Sequence, residues 1–332
     1  MIWNIPIEPL EERYSSQWDR WFKQYFDQEG LQHREIYGKK TSGTINLGSF
    51  LDVVETIRYK SQQIEKITEI VPEIKKGDVF FFHDIWHPGI ISLSYMLDCL
   101  GIRNDVKITG CLHAGSYDQY DFLYKSGCDR WAKKFEESVF EIADKIFVAT
   151  NFHKKLIEEQ RKIDSEKIIV TRFPMFDEIN YNNEKKEDIV VFPHRLDSEK
   201  QPEKFDFIAG DFFPNTWRFS KTKLVCQDKK EYYDFLKKAK ISVSFALQET
   251  WGIAMIESVY AGCIPLVPDR LSYSELYPES FKYKDHRELM QKMCFYMSNS
   301  SNEQIQRKLF LLKKMFLDDS KNAMRRILNE LR

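Results

Sequence analysis

The 332-residue sequence has no Cys-x-x-Cys pair, no Asp-x-Asp and no apolar run long enough to span a bilayer. Its first residues, MIWNIPIEPLEE, lack the basic-then-apolar order of a secretory signal. Neither sign of charge dominates: 50 Lys and Arg stand against 51 Asp and Glu, a formal charge of −1. That balance excludes a whole-molecule electrostatic pull toward nucleic acid or membrane. The six cysteines mostly sit in apolar segments, which sets the expectation of reduced, buried thiols in a cytoplasmic protein without a membrane partner. What remains is ordinary globular composition, 42% hydrophobic and 30% charged, in a chain long enough for two α/β domains.

The most informative stretch is residues 241–268, ISVSFALQETWGIAMIESVYAGCIPLVP. ISVSFAL has the β-branched and aromatic content of a strand, and IAMIESVYAG has helical spacing with Gly262 at its expected end. CIPLVP is a second short apolar strand. Strand, turn, helix and strand make one βαβ unit of a parallel, doubly wound α/β sheet. Ligands of such sheets sit beyond the carboxyl ends of the strands, which places QETWG at the site. Glu249 and Glu257, with seven residues between them, frame that turn. Gly252 allows close backbone approach, and the N–H groups near Trp251, Gly252 and Ile253 suit an anion such as phosphate.

A second constellation lies in FPHRLDSEKQPEKF, where Arg195 and Lys200 follow a strand. A bidentate guanidinium and a point-charge ammonium are natural counterparts of a diphosphate. Nearer the N-terminus, IWNIPI reads as a strand and PLEERYSSQWDRWFKQYF as a helix packing Trp18, Trp21 and Phe22, with Arg13 left open for binding. Residues 50–71 read as a helix, and VFFF is a buried strand ending at His83 and Asp84, which could line an interdomain cleft. His83 and His87 are four apart, but Pro88 argues for a loop over a zinc-binding helix face. After the strand KITGC, His113 and Gly115 fall at a strand's end, and Asp118 and Asp121 follow in a polar loop that could meet acceptor hydroxyls. Residues 129–144 read as a helix, and Tyr273 and Glu275 are placed in a loop. Residues 205–226 look too short for two βα units. From Arg218 to Lys240, and again from Gln304 to Arg332, eight Lys or Arg stand against three Asp or Glu. Such runs are usually solvated faces, although a phosphate-tracking groove would need them.

The Glu–seven residues–Glu pattern, with Trp and Gly after the first Glu and AGCIPLVP after the helix, resembles the donor-site signature of retaining GT-B glycosyltransferases. This resemblance implies an α/β fold of two Rossmann-like domains facing each other across a cleft. It implies an acceptor domain at 1–183, a donor domain at 184–300 beginning at the charged run around 184–188, and helices at 301–332 returning to the first domain. It further implies that Glu249 contacts the transferred sugar and that Thr250, Trp251, Gly252 and Ile253 hold it and its phosphate. Glu257 would bind the nucleotide's ribose, Arg195 and Lys200 the diphosphate, and His113 would lie beside the donor sugar. The family's usual Gly-rich loop near the first strand is replaced here by EPLEERYSSQW, so that loop's chemistry is not carried over. With no Asp-x-Asp, protein cations and the helix dipole would meet the leaving-group charge; no metal or other cofactor is expected, and a UDP-sugar is the expected co-substrate.

Two narrower resemblances bear on the acceptor. FPHRLDSEKQPEKF with WGIAMIESVYAGCIPLVP is similar to tRNA-queuosine mannosyltransferases. IPIEPLEERYSSQWDRWF, GSFLDV, GDVFFFHDIWHPG and LHAGSYDQYDF resemble small glycosyltransferases of tailed bacteriophages. The second likeness implies an enzyme working in the host cytoplasm on 5-hydroxymethylpyrimidines of phage DNA, with tRNA as the alternative acceptor. A non-catalytic GT-B module that binds nucleotide or nucleic acid, and an enzyme acting on a lipid or small molecule, are the competing classes.

Overall fold

The computed structural model describes residues 1–11, 13–40, 52–182, 184–211 and 216–332. They form two compact units, one of Met1–Arg172 with Asn322–Arg332, the other of Phe173–Lys321. The division falls at residue 172, where the charge run had suggested 183, because the chain after the last strand of the first sheet already packs into the second unit. Met175 shows this: its backbone is bonded by the Tyr260 and Ser320 hydroxyls.

The first unit holds a six-stranded sheet ordered β2-β1-β3-β4-β5-β6, every neighbouring pair parallel. Its strands are β1 (Ile2–Ile5), β2 (His33–Glu35), β3 (Val79–Phe82), β4 (Lys107–Cys111), β5 (Lys145–Val148) and β6 (Ile168–Val170). The helices between them are α1 (Tyr14–Gln28), α2 (Val53–Ile70), α3 (Gly89–Cys99), α4 (Phe122–Lys125), α5 (Asp129–Ile142) and α6 (Asn151–Gln160). Covered on both faces, the central strands are continuous apolar runs, with Phe80, Phe81 and Phe82 all sealed from solvent. Asp52 caps α2 by accepting the Glu55 N–H at 3.0 Å, so the helix starts later than residue 50; residues 41–51, including part of GSFLDV, lie outside the described residues.

The second unit holds a five-stranded parallel sheet ordered β11-β10-β9-β7-β8. It comprises β7 (Glu187–Phe192), α7 (Pro202–Asp211), β8 (Arg218–Lys221), α8 (Thr222–Val225), α9 (Lys229–Lys238), β9 (Ala239–Val243), α10 (Ile253–Tyr260), β10 (Ile264–Pro268), α11 (Tyr273–Leu276), β11 (Lys282–Tyr283) and α12 (His286–Asn299). The last helix, α13 (Glu303–Glu330), contributes its residues up to Lys321 to this unit and the remainder to the first. Helix α10 ends as its spacing predicts. Gly262, at φ 78°, takes the left-handed turn while the N–H groups of Gly262 and Cys263 bond back to Val259 and Ser258. Tyr273 and Glu275 belong to α11 and not to an open loop: Tyr273 is fully buried, its hydroxyl 3.0 Å from Ser244 Oγ. Of the cysteines, Cys111 and Cys263 are buried, whereas Cys99 and Cys294 are exposed on α3 and α12, which corrects the uniform expectation.

Both sheets reverse strand order once. In the first, β1 sends the chain to β2 on one side and β3 lies on the other; in the second, β7 stands between β8 and β9. Such a switch point leaves a crevice at the carboxyl ends of the two diverging strands. The loops after β1 and β3, and those after β7 and β9, are therefore where a ligand fits.

Candidate donor and acceptor sites

In the second unit the switch-point loops are bonded to each other: the Leu247 N–H donates to the Glu199 carbonyl at 2.7 Å. Arg270 braces the loop after β9 from the other side, donating to the Phe245 and Ala246 carbonyls at 2.8 and 3.0 Å. This frame brings Lys200 and Glu249, 49 residues apart, to 3.3 Å. Lys200 also donates to the Gln248 carbonyl at 2.5 Å, and its side chain is only 6% exposed. A buried ammonium needs such partners, since an uncompensated charge there costs several kcal/mol on the order expected for desolvated ions.

The other carboxylate oxygen of Glu249 accepts the Gly252 N–H at 2.9 Å and lies 3.5 Å from the Trp251 nitrogen. Glu249 thus acts as an anion at the start of α10. Gly252 reaches this geometry at φ 83°, and a Cβ there would come within 3.0 Å of the Tyr273 ring. Two of the groups expected to hold donor phosphate, the Gly252 N–H and the Lys200 ammonium, are therefore shared with Glu249 itself. Trp251 turns inward, 3% exposed, its ring set edge-on to Phe316. Thr250 is buried and Ile253 half-buried.

Arg195 lies on the same loop as Lys200, its guanidinium 2.8 Å from Asp197 and 3.2 Å from Glu199, and its side chain is one-third exposed. The flanking acids hold the guanidinium without sealing it from solvent. His194, beside it, is buried with Nε2 unpartnered among the described residues, and burial holds its pKa well below the usual histidine range.

Glu257 is more enclosed than its spacing suggested. The Tyr232 and Tyr233 hydroxyls donate to its two oxygens at 3.0 and 2.9 Å, and Lys229 stands 3.9 Å away. Burial raises its pKa, against the lowering effect of Lys229 and the two phenols. A carboxylate has about four lone-pair positions, so two remain for a diol. The tyrosine pair was missed. Its signal, adjacent tyrosines in KKEYYDF, is visible in the sequence, but the helix-to-helix pairing is not. Of the eight cations in the run around them, Arg218, Lys221, Lys237 and Lys240 pair with Glu187, Asp206, Asp234 and Asp188.

In the first unit the histidines at the strand ends are uncharged. His113 Nε2 donates to the His83 carbonyl at 2.8 Å, which fixes the tautomer and leaves Nδ1 to accept from the Tyr14 hydroxyl at 3.3 Å. Burial lowers the pKa of His113, keeping the ring neutral against Trp18, whose centroid is 4.9 Å away. His83 does not line an open surface: it has no exposure, bonds Asn4 at 2.8 Å through Nε2 and is packed by Phe22 and Phe81. Its contribution is the carbonyl that holds His113. The histidine pair is no chelate. His87 accepts the Gly89 N–H at Nδ1 and donates from Nε2 to Gln63, so each ring is committed elsewhere.

Asp84 accepts the Trp86 N–H at 3.1 Å, and Asp118 accepts the Tyr120 N–H at 2.9 Å. Asp121 caps α4, and burial with neighbouring Asp118 and Glu136 pushes its pKa up to about 7. Arg13 is the N-cap of α1 and half-buried, so it stands beside the loop after β1. Gly115 is needed small, because a Cβ would strike the Tyr117 ring at 2.3 Å. Beneath it lies a feature that sequence reasoning missed. Glu136, 1% exposed, takes the Ser116 N–H at 2.6 Å, the Arg161 guanidinium at 2.8 Å and the Trp86 indole N–H at 3.2 Å. That buried pair ties the loop after β4 to the loop after β3.

No protein-family model matches the chain. It is 27% identical to the tRNA-queuosine alpha-mannosyltransferase of Drosophila melanogaster over 129 residues, 31% of this chain and 34% of that protein. The match thus spans about a third of the relative's length. Among solved structures, sucrose-phosphate synthase from Thermosynechococcus elongatus superposes with a TM-score of 0.69 at 11% identity, covering 99% of this chain and 97% of that one. Anabaena HepE in complex with UDP gives 0.62 at 9% identity, with 99% and 98% covered. TarM gives 0.58 at 14% identity over 80% of this chain and 57% of its own. Among the described residues no helix is long and apolar enough to cross a membrane. With two parallel Rossmann-like sheets, each carrying its polar groups at a strand-order switch, the chain has the α/β fold of the GT-B glycosyltransferases.

Proposed function

We propose that the protein is a retaining glycosyltransferase that moves a sugar from a nucleotide-sugar, a UDP-sugar, to a hydroxyl on a nucleobase. One observation carries the reading: the Lys200 ammonium, the Glu249 carboxylate and the Gly252 amide meet at the switch point of a parallel sheet, with Arg195 on the adjoining loop. In transfer, the bond from the anomeric carbon to the phosphate oxygen breaks and a bond to the acceptor oxygen forms. The acceptor's proton leaves with the diphosphate. Arg195, Lys200 and the first turn of α10 would take up the leaving group's charge, and Glu249 would steady the electron-poor sugar. These cations supply the charge without a metal.

For the acceptor, the likeness to phage enzymes along nearly the whole chain favours 5-hydroxymethylpyrimidine in DNA, whose hydroxymethyl group projects into the major groove. The Drosophila relative supports a second reading, a tRNA acceptor. The test offers UDP- and GDP-sugars with unmodified DNA, hydroxymethylcytosine DNA, hydroxymethyluracil DNA and bulk tRNA, with nucleoside masses as the readout. A sugar mass on a hydroxymethylated base establishes the first reading; sugar on tRNA alone establishes the second. Nucleotide-sugar hydrolysis without either product removes the nucleic-acid acceptor.

A further inference from the structure

Resting on the reading of a nucleic-acid acceptor, we propose that the outer face of α4 and α5 binds an unpaired strand of DNA, stacking its bases and pairing its phosphates. Residues 122–135 carry four cations, Lys125, Arg130, Lys133 and Lys134, against one acid, Asp129. All four cations are exposed, and Arg130, Lys133 and Lys134 form no ion pair among the described residues. This differs from the run at 218–240, where Arg218, Lys221 and Lys240 are answered by neighbouring acids. Arg130, Lys133 and Lys134, three cations on one helix, are a local demand for anions.

The exposed apolar groups of the same segment narrow the partner. Phe122, Tyr124 and Trp131 are 36%, 44% and 46% exposed, and every exposed apolar side chain in 122–135 is aromatic. Flat rings interspersed with cations suit bases and phosphates, and stacking is worth about 1–3 kcal/mol per base. An aliphatic face would instead suit lipid tails or a protein core. Trp131 also connects this face to the acceptor loops. Its ring lies edge-on to Trp86 at 6.0 Å, and Trp86 is held by its indole N–H to Glu136 and follows Asp84. Spacing supports a continuous track, since Arg130, Lys133 and Lys134 share one side of α5. Asp118 and Asp121 lie at its inner end, where a strand's hydroxyl, and not its phosphates, would be received.

The test is fluorescence anisotropy with labelled dT15, rU15, a 15-base-pair duplex and phosphatidylglycerol vesicles, on the wild type and two variants. One variant is Phe122→Ala/Tyr124→Ala/Trp131→Ala, the other Arg130→Glu/Lys133→Glu/Lys134→Glu. We expect dT15 to bind more tightly than the duplex and to lose roughly tenfold or more in both variants. The charge variant should also flatten the salt dependence. Circular dichroism checks folding, and the exposed charge-reversal variant keeps the test decisive if the aromatic one is unstable. Unchanged dT15 affinity in both variants overturns the proposal, as does binding of rU15 alone or of vesicles in place of dT15. Transfer to free 5-hydroxymethyl nucleoside separates the two readings. If both variants retain it while dT15 binding is unchanged, the surface assignment fails and the glycosyltransferase stands; if the wild type lacks it and transfers to no nucleic acid, the function itself fails.

Discussion

The two switch points solve the same topological problem with opposite chemistry. At the first, β3 and β4 lead into His83 and His113, held neutral by burial, whose ring nitrogens bond a side-chain amide, a carbonyl and a phenol, with Asp84 beside them. At the second, β7 and β9 end in charged side chains that neutralise one another, Lys200 with Glu249 and Arg195 with its two acids. Neutral groups suit a hydroxyl that must be oriented without being ionised. Exchangeable charges suit a diphosphate that arrives and leaves with its charge. The sheets alone would not reveal this division, because both are parallel and both reverse once.

Acidification should sharpen the contrast most. His83 and His153 are held down to about 3, and His87 and His113 are lowered, all by burial in the first unit; among the described residues of the second unit only His194 is in this state. These groups stay neutral when folded but take protons when unfolded. Their stability is therefore complete above about pH 6.5 and is lost as pH falls below it. The first unit should therefore lose more stability on acidification than the second, less what Asp121 returns, since its pKa of about 7 lets the folded state take up that proton first. Hydrogen exchange of peptides from β3–β5 and β7–β10, followed from pH 7 to 5, measures the two losses; equal losses would break the comparison.

Substitution of Glu249 by Gln should lower transfer by roughly 100-fold or more, while UDP affinity stays within a few-fold. Turnover and calorimetry on the same preparation check this. Arg195→Ala should weaken UDP binding by roughly tenfold, a charge-assisted contact worth about 1.5 kcal/mol, with the unfolding midpoint little changed because the side chain is one-third exposed. Tyr233→Phe should have the smallest effect, about 1 kcal/mol of stability from a lost hydrogen bond to buried Glu257, read as a fall in Tm of a few degrees.

The fold was legible where burial on both faces makes a strand apolar along its length, as in VFFF and KIFV. The turn QETWG was legible because a strand, a glycine and a helix start coincide there. What escaped depends on distance in the chain. Polarity put His83 at an open strand end, but its burial is decided by Phe22 on α1, 61 residues away. The Glu136–Arg161 pair and the phenols on Glu257 join helices whose spacing shows only that each is amphipathic. Tyr273 looked like loop because α11 has a single turn, too short for periodicity to register.

The carboxylate of Glu249 has one more consequence. It already occupies the Lys200 ammonium and the Gly252 amide, the two groups proposed for donor phosphate. On that reading an incoming phosphate would have to displace it. A nucleotide-sugar brings additional contacts through its base, ribose and sugar, and these can offset the eviction. On that reading Glu249 would favour a nucleotide-sugar over free phosphate without any residue that repels the latter.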